Sequence, residues 1–446
     1  MLSLKLDRER CLPIPDFSVR FERGRLCVEK FVIEGKKPLS GVVEIEGSKN
    51  AALPILAATL LTDTPSIIHN VPNLLDVDTM ILVLQSLGVR IDKLSEGTYT
   101  IYPDSLVKSD APYELIRKMR ASFLVIGPLI SRLRKAQVPL PGGCAIGSRP
   151  IDLHIKGFLH LGVQVSTHSG YVEAWAEQLH PGEIYLDFPS VGATENIMML
   201  ASVIPGDTVI ANAAREPEVT DLANFLMAMG TEIEGVGTDT IVIHGASKLV
   251  GCEYTIINDR IEAGTFYVAA AITGGEVIVK GVNHIVTRSI TTKLEEIGAK
   301  IKKISEDSLL VSLKGRPHAT DIKTMPYPGF PTDMQAQFMT LLCLADGVSV
   351  ITETVFENRF AHVGELERMG ANIKVEGRSA VVVGVEKLTG TQVTATDLRA
   401  GAALVMAGLA AEGKTEVYGI SHVDRGYADL EQKLVKLGAS IKRVNE

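Results

Sequence analysis

Apolar and polar positions follow the same order six times along the chain. A stretch with apolar residues at helical spacing runs into a short motif: an apolar residue, Gly, a small residue, any residue, then Ile or Val. The motif reads Leu87-Gly88-Val89-Arg90-Ile91, Leu161-Gly162-Val163-Gln164-Val165 and Met229-Gly230-Thr231-Glu232-Ile233. It returns as Ile297-Gly298-Ala299-Lys300-Ile301, Met369-Gly370-Ala371-Asn372-Ile373 and Leu437-Gly438-Ala439-Ser440-Ile441. The glycines are 74, 68, 68, 72 and 68 residues apart, and a near-constant period is the mark of internal repeats. Each glycine is expected to end a helix in the left-handed conformation that other residues resist. The alternating residues after it open a strand. Before it, Met80, Val83, Leu84 and Leu87 share one helical face, as do Tyr427, Leu430, Leu434 and Leu437.

A second kind of helix opens each repeat. Asn50-Ala-Ala-Leu-Pro-Ile-Leu-Ala-Ala-Thr-Leu and Gly401-Ala-Ala-Leu-Val-Met-Ala-Gly-Leu-Ala are small and apolar almost all round, so they should be buried on every side. Between the two helices lie β-rich segments such as Thr208-Val-Ile-Ala-Asn and Glu276-Val-Ile-Val-Lys. The unit is therefore strand, buried helix, strand, exposed helix, strand, strand. Six units suggest two α/β domains of three repeats, each with pseudo-threefold symmetry and its buried helices at the centre. A linear solenoid is the alternative, although solenoid repeats are usually shorter.

The buried helices are expected to start at Gly47-Ser-Lys-Asn, Gly147-Ser-Arg-Pro, Ser190-Val-Gly-Ala-Thr, Asp259-Arg-Ile-Glu, Pro331-Thr-Asp-Met and Thr396-Asp-Leu-Arg. Ser, Thr and Asp are favoured N-caps. Parallel helices aim their positive ends the same way, so three such ends facing a cleft would attract an anion. Lys49, Arg120, Arg149, Arg399 and Arg425 lie at or near these points, and Arg359 lies on a loop before an exposed helix. Singly each could be a surface charge. As a set they point to a polyanion such as a phosphate ester carrying a carboxylate.

Composition narrows the classes. The chain has 446 residues, 46% hydrophobic and 22% charged, which excludes disorder and low-complexity scaffolds. Its net charge of −8 and lack of a Lys/Arg block argue against a nucleic-acid partner. The longest small-apolar run, Ala51–Leu61, has 11 residues, against the roughly 20 that span a bilayer. Cys11, Cys27, Cys144, Cys252 and Cys343 are odd in number, scattered and free of any Cys-x-x-Cys, which argues against disulfides or zinc and suggests a reducing cytoplasm. Charged residues interrupt the first ten positions, unlike a secretory signal.

Two residues invite chemistry. Cys144 lies in Pro139-Leu-Pro-Gly-Gly-Cys-Ala-Ile-Gly-Ser-Arg149-Pro, a loop by its glycines and prolines, where the thiol could be tuned or inert. Asp333, in Phe330-Pro-Thr-Asp-Met-Gln, could cap its helix or act as a general base among the cations.

These stretches resemble the enolpyruvyl transferases, from about Lys30 to the C-terminus. The telling pieces are Gly47-Ser-Lys-Asn-Ala-Ala-Leu-Pro, Lys118-Met-Arg-Ala-Ser, the Leu140–His154 loop segment, Ser190-Val-Gly-Ala-Thr-Glu-Asn, Ala213-Ala-Arg-Glu-Pro-Glu, Phe330-Pro-Thr-Asp-Met-Gln-Ala-Gln, Thr352-Glu-Thr-Val-Phe-Glu-Asn-Arg, Ala395-Thr-Asp-Leu-Arg and His422-Val-Asp-Arg-Gly-Tyr. The resemblance implies a pair of inside-out α/β barrels. Residues 31–48 would join 258–446 in a discontinuous domain, 49–257 would form the other, and 1–30 would be an extension: a tail, an added edge strand or a misplaced start.

The implied reaction moves enolpyruvate from phosphoenolpyruvate to the 3′-hydroxyl of UDP-N-acetylglucosamine. By matching, Cys144 would protonate carbon 3 of the donor and could bond to carbon 2, and Asp333 would take the hydroxyl proton. Lys49, Arg120, Arg149 and Arg425 would hold the phosphate, and Arg359 and Arg399 would face the carboxylate and cleft. Asn50, Arg149, Pro150, Ile151, Asp152, Leu153, Ser190, Val191, Gly192 and Val355 would contact the nucleotide sugar. No metal or organic cofactor is implied, nor a nucleic-acid partner or membrane insertion, and an accessible Cys144 should be alkylated by fosfomycin. Phe188 departs from the lysine some members carry there. The alternatives are an enzyme using shikimate 3-phosphate as acceptor, which the cysteine loop counts against, and a non-catalytic UDP-sugar binder.

Overall fold

A computed structural model describes residues 19–22, 25–116, 119–140 and 151–445. Among them lie six small sheets of three to five strands. One sheet shows how a repeat is built. Strands Glu183–Tyr185 and Gly206–Ala211 pair in parallel, with helix Val191–Ala201 between them in sequence. Helix Pro217–Ala228 follows, and strands Glu232–Glu234 and Thr240–Gly245 close the sheet antiparallel. Gly88, Gly162, Gly230, Gly298, Gly370 and Gly438 end the outer helices at φ of 102, 85, 113, 101, 93 and 98°. This is the left-handed region that glycine enters without a Cβ penalty.

The helices without a polar face are buried. Helix Lys49–Ala58 buries eight consecutive residues, and Arg260–Ile272 is buried along its whole length. Their backbones approach closely: a Cβ on Gly127 would lie 2.6 Å from the Oδ1 of Asn196 on the neighbouring helix. The apolar residues form two cores. One draws on Phe31 to Ile45 and Ile261 to Ile441, the other on Ala51 to Ile256 with Ala428.

Two connections join the cores. Strand Ser40–Glu44 pairs in parallel with Glu276–Lys280, and strand Glu253–Thr255 pairs in parallel with Ser66–His69. The core of Ile261 to Ile441 thus takes in the strand that precedes the first connection, while the other core is closed by the strand just before the second. The connections touch where Gly47 bridges Asn258, with Ser48 N–H donating to the Ile257 carbonyl (2.7 Å) and Asp259 N–H to that of Glu46 (2.9 Å). Strand Arg25–Glu34 lies between Lys414–Tyr418 and Ser440–Asn445, and Val19–Glu22 pairs with its first residues. Among the described residues, no helix is long and apolar enough to cross a membrane.

Four of the six expected helix starts fall where the sequence places them, at Ser48, Ser190, Asp259 and Asp397. The Asp259 and Asp397 carboxylates each accept two backbone N–H groups in the first turn. Asp397→Ala should therefore lower folding stability by about 0.5–2 kcal/mol. A denaturant midpoint equal to wild type would contradict this. One start is corrected. The helix after Gly147-Ser-Arg-Pro, Asp152–His160, buries only His154, Gly157 and Phe158 and is an outer helix. The buried helix of that repeat is Ile126–Leu133, entered through a 3₁₀ turn at Arg120–Val125. Asp333 does not cap: it lies in the 3₁₀ turn Thr332–Met334, and Gln335–Leu342 starts with no side-chain cap.

Candidate active site

Lys49 is the first residue of its buried helix, just past the connection between the cores. Its Nζ lies 3.2 Å from Asp76 Oδ2. Arg425, from the other core's last repeat, donates its Nε to Asp76 Oδ1 at 2.8 Å. The buried Asp76 thus ties the two halves together. Burial alone would raise its pKa, but Lys49 and Arg425 outweigh that and hold it below its usual value.

Asp333 carries the second knot. Arg359 Nη2 donates to its Oδ1 at 2.7 Å and Arg399 Nη2 to its Oδ2 at 2.9 Å. Both arginine side chains are nearly inaccessible, at 3% and 4%. Burial pushes the Asp333 carboxyl up, but Arg399, Arg359 and Lys49 together hold it far below the carboxylate range. Arg399 packs its guanidinium 5.3 Å from the Tyr427 ring, and its Nη1 is buried without a hydrogen-bond partner among the described residues. A buried guanidinium with a spare donor is ready to take an anion. Lys49 feels the same field. Burial lowers its pKa, and Arg399 and Arg425 add to that against Asp76 and Asp333.

Glu353 braces this knot and was not among the candidates. Fully buried, it accepts from Thr324 Oγ1 and Thr332 Oγ1 (2.8 Å each), Val355 N–H (2.8 Å) and Phe356 N–H (3.2 Å). One carboxylate thereby fixes the turn bearing Asp333 and the backbone at Val355. Asp76 was missed too.

The remaining candidates form a separate group in the other core. Ser190 caps the helix of Val191 and Gly192. Gly192 faces His154, since a Cβ there would meet the ring at 3.3 Å. His154 lies one turn into the helix opened by Ile151, Asp152 and Leu153, and its Nδ1 meets Asn196 Nδ2 at 3.2 Å. Burial, helped by Arg120 nearby, pushes His154 down to about 3, so the ring is neutral. Phe188 is 42% exposed beside this group, while Lys156 pairs with Asp187 at 2.7 Å. Asn50 follows Lys49 in the same helix. Cys144, Arg149 and Pro150 lie outside the described residues. No cluster of three or more His, Cys, Asp or Glu suited to a metal occurs among the described residues.

The profile of the family described as EPSP synthase (3-phosphoshikimate 1-carboxyvinyltransferase) matches residues 33–434. The chain belongs to that family. Within it, the chain is 57% identical over 416 residues to UDP-N-acetylglucosamine 1-carboxyvinyltransferase 1 of Caldanaerobacter subterraneus, covering 93% of this chain and 99% of the relative. It is 56% identical to UDP-N-acetylglucosamine 1-carboxyvinyltransferase 2 of Carboxydothermus hydrogenoformans, over 94% of this chain and all of the relative. Among solved structures, the enolpyruvyl transferase NikO from Streptomyces tendae superposes with a TM-score of 0.85 at 26% identity, covering 94% of this chain and 99% of that one. An EPSP synthase from Acinetobacter baumannii gives 0.71 at 18% identity, covering 94% and 100%, and shares the fold. The two-core α/β architecture is thus that of the enolpyruvyl transferases.

Proposed function

We propose that this chain transfers the enolpyruvyl group of phosphoenolpyruvate to the 3′-hydroxyl of UDP-N-acetylglucosamine and releases phosphate, the first committed step of peptidoglycan synthesis. The observation that carries the reading is the convergence of Lys49, Arg425, Arg359 and Arg399, from both halves of the chain, on Asp76 and Asp333. Four cations at one cleft suit a donor bearing a phosphate and a carboxylate. The relatives' shared name favours the UDP-sugar acceptor.

In this reading residues 31–48 and 258–446 form one lobe and 49–257 the other, with 1–30 an extension. Cys144 delivers a proton to carbon 3 of the donor, which makes carbon 2 electrophilic. The 3′-hydroxyl attacks carbon 2 and gives its proton to Asp333. Phosphate then leaves carbon 2 as carbon 3 gives its proton back, which restores the double bond. Lys49, Arg120, Arg149 and Arg425 steady the phosphate, and Arg359 and Arg399 the carboxylate. Asn50, Ile151, Asp152, Leu153, Ser190, Val191, Gly192 and Val355, with Arg149 and Pro150, contact the nucleotide sugar.

The pairing of Asp333 has a consequence here. Held by two arginines, its carboxylate is a weak base. A bound anion that takes Arg399 weakens this hold and raises the Asp333 pKa towards one suited to accepting a proton. Binding of the donor thereby arms the base. We place the reaction in the cytoplasm, in keeping with the odd number and scatter of the cysteines along the sequence.

Phosphate release that requires both substrates tests the reading. Cys144→Ala should lower it by about 10²–10⁴-fold. Wild type that binds the UDP-sugar without releasing phosphate would make the chain a binder.

A further inference from the structure

Helices Arg260–Ile272, Gln335–Leu342 and Leu398–Ala410 pack on one another at the centre of the half that carries Asp333. Each sends one side chain to Tyr427, a residue that the reaction above does not use and that is 2% exposed. Thr265 Oγ1, from the first helix, lies 2.9 Å from the Tyr427 hydroxyl oxygen. Gln337 Nε2, from the second, donates to that oxygen and to Thr265 Oγ1, at 3.2 Å each. Arg399, from the third, lays its guanidinium 5.3 Å from the ring centroid. The hydrogen-bond directions follow. Thr265 gives its own proton to the Ile261 carbonyl at 2.9 Å, so the Tyr427 O–H donates to Thr265 and its oxygen accepts from Gln337. The ring is thereby fixed at its hydroxyl end, and its face is left to Arg399.

The backbone around Tyr427 leads to a second cation. Arg425, which donates to Asp76, stands two residues earlier, and Tyr427 N–H donates to the Val423 carbonyl at 3.0 Å. Between them Gly426 lies flat on Leu398, the residue before Arg399: a Cβ on Gly426 would be 2.6 Å from Leu398 Cδ2. One turn of chain thus touches both charge knots, that of Asp76 through Arg425 and that of Asp333 through the contact of Tyr427 with Arg399. Arg399 has use for this support. Its Nη2 holds Asp333 at 2.9 Å, while its Nη1 is buried without a partner among the described residues. The bond to Asp333 leaves the guanidinium plane free to turn about it. An aromatic ring against that guanidinium restrains the plane, and the contact is attractive when water is excluded.

We propose that Tyr427 is a positioning residue: it sets the plane of Arg399 so that Nη1 meets the donor's carboxylate, at a fixed spacing from Arg425 on the phosphate. This deepens, and rests on, the transfer reaction proposed above. Tyr427 itself touches neither substrate. Its hydroxyl ties the three helices together, and its ring holds Arg399. The two roles can be separated, because Tyr427→Phe removes the first and keeps the second.

The test measures KM for each substrate, the melting temperature and the crystal structures of the ligand-free variants. Tyr427→Leu should raise KM for phosphoenolpyruvate about tenfold, the size of a desolvated cation–ring contact, and leave that for UDP-N-acetylglucosamine unchanged. Its crystals should show Arg399 turned from its place. If it does not fold, Tyr427→Met, which fills the space without a ring face, takes its place. Tyr427→Phe should melt lower than wild type, since Gln337 and Thr265 lose a buried partner. It should nonetheless keep KM for phosphoenolpyruvate within about threefold, because the ring remains. A purely structural Tyr427 would make KM follow the melting temperature across the variants, or raise both KM values alike. Either result, or an Arg399 unmoved in Tyr427→Leu, overturns the proposal. Wild type without phosphate release, while Arg399 turns in Tyr427→Leu, supports the positioning and overturns the reaction.

Discussion

Asp333→Ala is expected to lower kcat by about 10²–10⁴-fold, the usual contribution of a positioned acid or base. The change removes the proposed acceptor of the hydroxyl proton. It also leaves Arg359 and Arg399 unpaired in a buried site, where removing one partner of a buried ion pair costs about 3–5 kcal/mol. Asp333→Asn separates the two effects, because it keeps the shape and one acceptor but cannot take the proton. It should match the alanine variant in kcat and unfold closer to wild type. The pairing also sets the acid response. A carboxylate whose pKa is depressed below 3.8 contributes its full stabilisation above that value and loses it as the pH falls below. Wild type should therefore keep Asp333 ionised through mildly acidic buffer. Either variant turning over within a few-fold of wild type would remove Asp333 from the mechanism.

Asp76→Ala should produce the next largest loss. The carboxylate takes one charged hydrogen bond from each half of the molecule. Each such bond is worth about 1.5–3 kcal/mol, so kcat/KM should fall by about 10²-fold or more at 1.36 kcal/mol per tenfold. Lys49 and Arg425 would then repel each other with no carboxylate between them. A double-mutant cycle with Arg425→Ala tests the link: the loss in the double variant should be smaller than the sum of the two single losses, since both variants remove the same bridge, while Arg425→Ala also takes a cation from the phosphate. Strictly additive losses would mean that the two residues act separately.

What the sequence made legible, and what it hid, follows from range. The six glycines report on their own backbones, and a positive φ is a local demand that glycine meets. The all-apolar helices were legible because a helix with no polar face has nowhere to go but inside. Caps were legible at Asp259 and Asp397 for the same local reason. Gly147-Ser-Arg-Pro misled because it copies the Gly47-Ser-Lys-Asn signal, while the true buried helix enters at Arg120 through a 3₁₀ turn with no Ser, Thr or Asp cap. Asp76 was hidden because its partner Arg425 is 349 residues away. In a first turn an acid reads as ordinary dipole complement. One signal was there to use: Asp76 lies one turn before Met80, on the face that continues to Val83, Leu84 and Leu87, and an acid on a core face needs a buried cation. Glu353 follows strand Val348–Thr352 and sits between two threonines, and nothing local shows that it braces the turn 21 residues upstream.

The most direct test is the identity of the product when phosphoenolpyruvate is supplied with UDP-N-acetylglucosamine and shikimate 3-phosphate in competition. Mass spectrometry should find UDP-N-acetylglucosamine heavier by one enolpyruvyl group, formed in step with phosphate and far more slowly with Asp333→Ala. An enolpyruvyl group on shikimate 3-phosphate instead, or neither product, would contradict the account.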